Sequence, residues 1–369
     1  MRNVLMCLTC ILLLLAPPSG RGQNCRSLEQ KIFYQYDPSH QEYPDSAVVL
    51  DARRKHGELS IFISKTSHKG QIATTLESRD LGSHWFPAKP RRIPTPLALA
   101  ANTFAEAPSD RRVQYKYLER EGVYLRSENG GKTWTKPQNR IGTLSPKEFA
   151  AKTSGSTSSR TYFALAAMHP SKPSVIYSTI RISHAAEGGE NARPIDMGLY
   201  RSDNGGEDWT RITDAIEFRS PIGIDPSNPA VMFGYGKSTL VGLLKTSDGG
   251  ATWVLTRQQK LMEARPLLVE EQRGPHILGV TPGLRVYQIA IDPTATNSVY
   301  VISNKGVYRS SDGGDTWCLL NTGIDFLDST YSLAFDPADA AQIFLGTRFG
   351  ILYSEDRGNS FRRIYRGNR

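Results

Sequence analysis

Cysteine is scarce in this sequence, with four in 369 residues. Cys7 and Cys10 fall in an N-terminal apolar run, which leaves Cys25 and Cys318. That excludes a disulfide-dense scaffold and any cysteine-based zinc ribbon. Cys25 and Cys318 stand near opposite ends of the chain, either as one bridge in an oxidising compartment or as two unpaired thiols, and spacing does not choose between them. Helical periodicity is absent outside 257–272, which argues against an α or α/β fold. After residue 22 the chain contains no Gly-x-Ser-x-Gly, His-Glu-x-x-His, phosphate-binding loop or Cys-x-x-Cys, so no cofactor and no metal are expected. The seven histidines are scattered.

One long apolar run is present, from Val4 to Ala16, preceded by Arg2 and broken by Pro17 and Pro18. With Gly20 and Gly22 behind it, residues 1–22 read as a signal peptide cut near Gly22. The run is short of the roughly 20 residues a spanning helix needs, and no later run approaches that length. A secreted or periplasmic protein is expected, with residues 23–44 as an N-terminal segment and 45–369 as the folded body.

The formal net charge is +9; without Arg2 and Arg21 it is +7, since residues 1–22 hold no acid. A basic surface favours acidic partners. No nucleic-acid motif accompanies it, so nucleic-acid binding is not expected. A monomer is expected.

What the sequence has in abundance is a repeat. The pattern Ser-x-Asp-x-Gly-x-x-Trp occurs six times with variations, anchored at Asp80 and Trp85, Asn129 and Trp134, Asn204 and Trp209, Asp248 and Trp253, Asp312 and Trp317, and Asp356 and Phe361. All five tryptophans of the chain close a copy. The physics of a tight turn accounts for the pattern. An Asp or Asn side chain accepts backbone N–H bonds and tolerates the left-handed conformation. Glycine supplies positive φ, the hydroxyl adds a local bond, and the aromatic anchors the turn by burial. Each part is structural, and none of the Asp or Asn residues needs a catalytic role.

Before each turn lie short strand-like runs. Examples are Gln288 to Pro293, Ser298 to Ser303 and Gly306 to Ser310, then Ser332 to Pro337, Gln342 to Gly346 and Gly350 to Ser354. In the first repeat the corresponding inner strands are placed at 45–50 and 59–64. Asp-Pro turns recur at Asp225, Asp292 and Asp336, with His169 in the same slot as a structural residue. The unit is therefore strand, Asp-Pro turn, strand, strand, boxed turn, strand. Four antiparallel strands per repeat predict an all-β propeller. Six copies predict six blades. Residues 28–36 form an extra strand candidate that would close the ring or begin a partial seventh blade.

These boxes resemble the Asp-box, or BNR, repeats of sialidases, sortilin-type receptors and photosystem II assembly propellers. The resemblance implies a propeller over nearly all of the mature chain and leaves activity open, because unrelated functions share the repeat. By the same resemblance, Arg91-Arg92-Ile93-Pro94 followed by Phe104-Ala105-Glu106 is similar to a sialidase segment. Arg92 would then grip a carboxylate, Asp110 would be the acid/base, and Arg285 and Tyr287 would complete the set. A full boxed repeat precedes Arg92, which departs from the sialidase order.

The boxes start at 78, 127, 202, 246, 310 and 354, so the repeat is interrupted unevenly. The extra length falls in 86–96, 135–160 and 256–286, between the last strand of one blade and the first of the next, and in 184–197, between second and third strands. Both connection types emerge on the face opposite the boxes. Long loops on a rigid scaffold usually carry binding. That face is basic, with Lys89, Arg91, Arg92, Arg140, Arg160, Arg265 and Arg273 as candidate binding residues; arginine suits carboxylates and sulfates. The expected function is a non-enzymatic binding or assembly scaffold for a protein or anionic glycan, with a sialidase-like glycoside hydrolase as the alternative.

Overall fold

The computed structural model describes residues 48–66, 72–88, 104–118, 121–183, 194–236, 242–256, 286–304, 306–323, 330–347 and 350–366. They form six antiparallel blades in a ring. Blade 1 is β1 (Val48–Lys55), β2 (Glu58–Thr66), β3 (Ile72–Ser78) and β4 (Phe86–Pro87). Blade 2 is β5 (Phe104–Glu106), β6 (Gln114–Leu118) and β7 (Val123–Ser127), its fourth strand reduced to the bridge Arg126–Thr135. Next come β8 (Arg140–Ile141) and α1 (Pro146–Ser154). Blade 3 is β9 (Arg160–Met168), β10 (Ile176–Ser183), β11 (Ile195–Ser202) and β12 (Asp208–Thr213). Blade 4 is β13 (Ile222–Ile224), β14 (Met232–Gly236), β15 (Gly242–Thr246) and β16 (Val254–Leu255). Blade 5 is β17 (Val286–Ile291), β18 (Val299–Ser303), β19 (Gly306–Ser310) and β20 (Cys318–Leu319). Blade 6 is β21 (Thr330–Phe335), β22 (Ile343–Thr347), β23 (Gly350–Ser354) and β24 (Arg362–Arg366). Strand order in each blade follows chain order.

The second strand of a blade is covered on both faces, which is why it reads as a continuous apolar run. In β18, Val299 and Val301 join a core shared with Phe233 and Leu243 of blade 4, while Tyr300 and Ile302 join one shared with Leu333 and Leu345 of blade 6. Period-two alternation thus sends neighbouring residues to opposite blade interfaces. Each buried aliphatic side chain contributes about 1.5–3 kcal/mol.

The ring closes where blade 6 meets blade 1. Ala52, Ile61 and Ile63 pack with Phe344, Ile351, Tyr353 and Ile364. Arg54 donates from Nε and Nη2 to the two carboxylate oxygens of Asp336, at 2.7 and 2.6 Å. On the other side, Arg53 reaches Glu106 of blade 2 at 3.1 Å. Here the structure differs from the sequence expectation. The first strand, described over Val48–Lys55, runs past the expected end at 50 and closes in a two-residue hairpin turn at His56 (φ 51°) and Gly57 (φ 86°). The charged stretch Asp51 to Lys55 reads as a loop because it lacks apolar alternation, yet its arginines link blade 1 to both neighbours. Residues 28–36 lie outside the described residues. Within the described residues both terminal blades are built from contiguous chain, and no strand is exchanged between them.

Blade 3 carries an addition. The segment after blade 2 crosses to it and pairs β8 in parallel with the outer strand β12, Arg140 opposite Asp208 and Ile141 opposite Trp209. The helix α1 follows, started by a reciprocal capping box of Ser145 and Glu148 and ended by Gly155 at φ 73°. Ile141 and Phe149 pack into the core between blades 2 and 3. This stretch, expected as a loop on the face away from the boxes, is in part a strap across the blade interface.

Candidate functional site

The two faces of the ring differ in how their polar groups are used. On one face lie the boxes. In each, the hydroxyl at the first position accepts from the glycine N–H four residues on, as Ser310 Oγ does from Gly314 at 2.8 Å. It also donates to the Asp or Asn two residues on, Ser310 to Asp312 at 2.7 Å. The same carboxylate accepts the backbone N–H of Thr316 at 2.8 Å and the Thr316 hydroxyl. Asp248 repeats this with Thr252, and Asp356 with Ser360. In the Asn boxes the amide donates instead, Asn129 to Thr133 Oγ1 at 2.7 Å and Asn204 to Asp208 Oδ2 at 2.9 Å.

These bonds hold the carboxylates in the ionised form. The Thr252 hydroxyl, then its backbone N–H, brings the Asp248 pKa down to about 2, and the His84 backbone N–H, then its imidazole, does the same for Asp80. Burial would raise Asp312, but the bonds from Thr316 outweigh it and the pKa falls. A general acid at neutral pH needs the opposite shift. The boxes are spent on their own turns.

They are also tied to the rest of the ring. The N–H following the Asp or Asn donates to the turn between first and second strands of the same blade, as Gly249 to Ala230 O and Gly313 to Asn297 O, both at 2.9 Å. The carbonyl at that position takes a cation from the preceding blade: Lys245 donates to Gly313 O at 2.6 Å and Arg309 to Arg357 O. Both donors stand directly before a box hydroxyl; Arg126 and Arg201 occupy the same slot but pair with Glu128 and Asp203 of their own boxes.

Asp110 lies in the turn between β5 and β6, which places it on the box side of blade 2. Its carboxylate receives Arg112 Nε and Nη2 at 3.0 and 2.9 Å, and that side chain, then the Arg112 backbone N–H, lowers its pKa. Tyr287 sits at the other end of the inner strand of blade 5, its ring 5.4 Å from that of Tyr331 in blade 6. The structure therefore places these two candidates at opposite ends of their blades, on different blades. Arg140 is on the box side as well, its Nε 2.7 Å from Asp208 Oδ1. Lys89, Arg91, Arg92, Arg265, Arg273 and Arg285 lie outside the described residues. Cys318 is disulfide-bonded, and Cys25, like Cys7 and Cys10, lies outside the described residues.

On the opposite face the described residues bring together a group at the junction of blades 3 and 4. Tyr162, Arg181 and Asp196 occupy one row across β9, β10 and β11. Arg181 donates to both carboxylate oxygens of Asp196. Its guanidinium lies 4.3 Å from the centroid of Phe218, in the loop leading to blade 4. Arg219 approaches the same ring at 5.6 Å. Arg160 begins β9 two residues from Tyr162 and so projects from the same side of the sheet. Phe163 and Ile180 project from the other side, into the core with blade 2. Among the described residues neither Arg160 nor Arg219 has an acidic partner, and both are exposed. Of this group the sequence reading named Arg160 alone. Phe218 and Arg219 sit in a connection too short to stand out.

The fold and the repeated turn define a class, the six-bladed β-propeller. No protein-family model matches the chain, and no curated protein does either. Among solved structures it is similar to an ancestral GH74 enzyme, with 18% identity over 68% of this chain and 29% of that one and a TM-score of 0.41. It is also similar to the GH74 xyloglucanase of Xanthomonas campestris, with 15% identity over 88% of this chain and 55% of that one, TM-score 0.41. A third is YCF48 bound to D1 peptide, 15% identical over 87% of this chain and 82% of that one, TM-score 0.39. The chain thus spans well under two thirds of the length of these GH74 enzymes. The functional reading rests on the residues of this chain.

Proposed function

We propose that this protein is an Asp-box propeller that works outside the cytoplasm as a non-catalytic binding scaffold, with the face opposite the boxes receiving an acidic protein or an anionic glycan. One observation carries the reading. The box carboxylates and Asp110 are consumed by turn hydrogen bonds or ion pairs, whereas among the described residues the other face holds two exposed arginines, Arg160 and Arg219, without acidic partners. Charge of one sign left unpaired on a rigid frame attracts a ligand of the other sign.

A sialidase-like activity would need Asp110 and Tyr287 at one mouth, and they lie at opposite ends of blades 2 and 5. The deciding experiment pairs two measurements on purified protein. Glycan-array and pull-down screens should yield a ligand whose binding weakens steeply with salt. A fluorogenic sialoside should not be turned over; turnover would overturn the scaffold reading.

A further inference from the structure

The junction of blades 3 and 4 is more specific than a basic rim. Phe218 is covered on one face by the Arg181 guanidinium at 4.3 Å, and Asp196 fixes that guanidinium in place. That face of the ring is not free to stack on a sugar. What the group presents outward, beside exposed Glu217, is arginine. Arg219 has φ 66°, in the left-handed region, which costs a β-carbon residue about 1 kcal/mol or more. The conformation is held by the surrounding bonds: the Arg219 N–H donates to Thr179 Oγ1 at 2.9 Å, and the next residue, buried Ser220, closes a turn by donating its N–H to Glu217 O at 3.1 Å. Glu217 lies towards Tyr235 of blade 4, whose pKa is raised by burial and then by Glu217. These bonds hold the Arg219 backbone in one exposed turn.

Resting on the scaffold reading above, we infer that Arg160 and Arg219, set around the Arg181–Phe218 stack, form a docking site for an extended acidic peptide segment of a partner protein. Carboxylate side chains are the groups that bidentate guanidinium donors match. The fixed Arg181–Phe218 pair supplies a preformed floor, so little ordering is needed on binding.

The test uses the full chain and a fluorescent oligoglutamate peptide, with oligoglutamine and heparin as comparison probes. Wild-type protein should bind oligoglutamate and ignore oligoglutamine. Arg160→Glu with Arg219→Glu should weaken oligoglutamate binding by about tenfold or more. Arg219→Gly should also weaken it while the melting temperature holds or rises, because glycine accepts the left-handed φ without strain. Arg160→Gln provides the milder second variant, and Arg140→Gln, on the box side, should leave binding unchanged. Failure of oligoglutamate to bind, or binding indifferent to Arg160 and Arg219, overturns the site. Heparin binding that needs these arginines while oligoglutamate does not bind would overturn the peptide assignment in favour of a glycan. A ligand captured in the screens whose binding survives Arg160→Glu with Arg219→Glu would leave the scaffold standing and this inference refuted.

Discussion

Blade 3 and blades 2, 4 and 5 are built from one repeat, yet of these four blade 3 alone lacks the bond that locks the closing tryptophan. In blades 2, 4 and 5 the closing tryptophan donates from Nε1 to the box glycine carbonyl, Trp134 to Gly131 and Trp253 to Gly250 at 3.0 Å and Trp317 to Gly314 at 3.1 Å. In blade 3 the same glycine carbonyl, Gly206, is taken by the N–H of Asn139 at 3.0 Å. Among the described residues, the buried Nε1 of Trp209 is left without a partner. It is instead fully buried between blades, 5.5 Å from Phe163 and 5.9 Å from Tyr124. The strap β8 has turned a turn lock into an interface wedge. A motif therefore specifies a local turn, while its neighbours decide what the exposed end of the motif does.

The largest effect should come from removing the wedge. Trp209→Ala should destabilise by about 3–5 kcal/mol, read by urea unfolding; a loss as small as that of a half-buried residue would mean that blade 3 is not held through its tryptophan. Next, Arg54→Ala should cost about 1.5–3 kcal/mol, because it strips two charge-assisted bonds from a carboxylate with no exposed side-chain surface. Adding Asp336→Asn should recover part of the loss. A finer comparison separates the two tryptophans. Trp317→Phe should cost about 1 kcal/mol more than Trp209→Phe, since only the former breaks a hydrogen bond. Equal losses would show that the orphan Nε1 is not an energetic difference between the blades.

The smallest effect concerns pH. In blades 4 to 6 the turn between first and second strands is held by Asp225, Asp292 and Asp336, each accepting backbone N–H bonds on Oδ1. In blade 3 the acceptor is His169 Nδ1, which takes the N–H groups of Ser171 and Lys172 at 3.2 Å. Burial first, then Lys172 and Arg201, lowers its pKa. The neutral form is the native one, so its stabilising contribution is complete above the unfolded pKa of about 6.5 and is lost as pH falls below it. His169→Asp should flatten the fall in melting temperature between about pH 7 and about pH 5. An unchanged slope would assign the acid sensitivity elsewhere.

The boxed turns were legible in the sequence because their chemistry is local. The box hydrogen bonds span four residues, and the apolar runs of β18 and β22 carry their burial on their face. The links between blades were not, because their determinants are distant in the chain. Asp51 to Lys55 makes sense only beside Glu106 and Asp336, and Asn139 only beside Gly206. Arg140 was expected opposite the boxes since a connection of that type normally emerges there. Its pairing with Asp208 depends on where the strap crosses. Phe218 and Arg219 left no composition signal, and their role appears only once Arg181 stands under the ring.

The seam between blades 6 and 1 has a consequence for how such a ring could be recut. Among the described residues every blade is one uninterrupted stretch of chain, and side chains alone join the first to the last. A circular permutant opened between any two blades would keep all six sheets intact, and gene duplication could add or drop a blade without orphaning a strand. The seam is then one blade junction among six, crossed by Arg54 to Asp336 as the junction of blades 5 and 6 is crossed by Arg357 to Asp292.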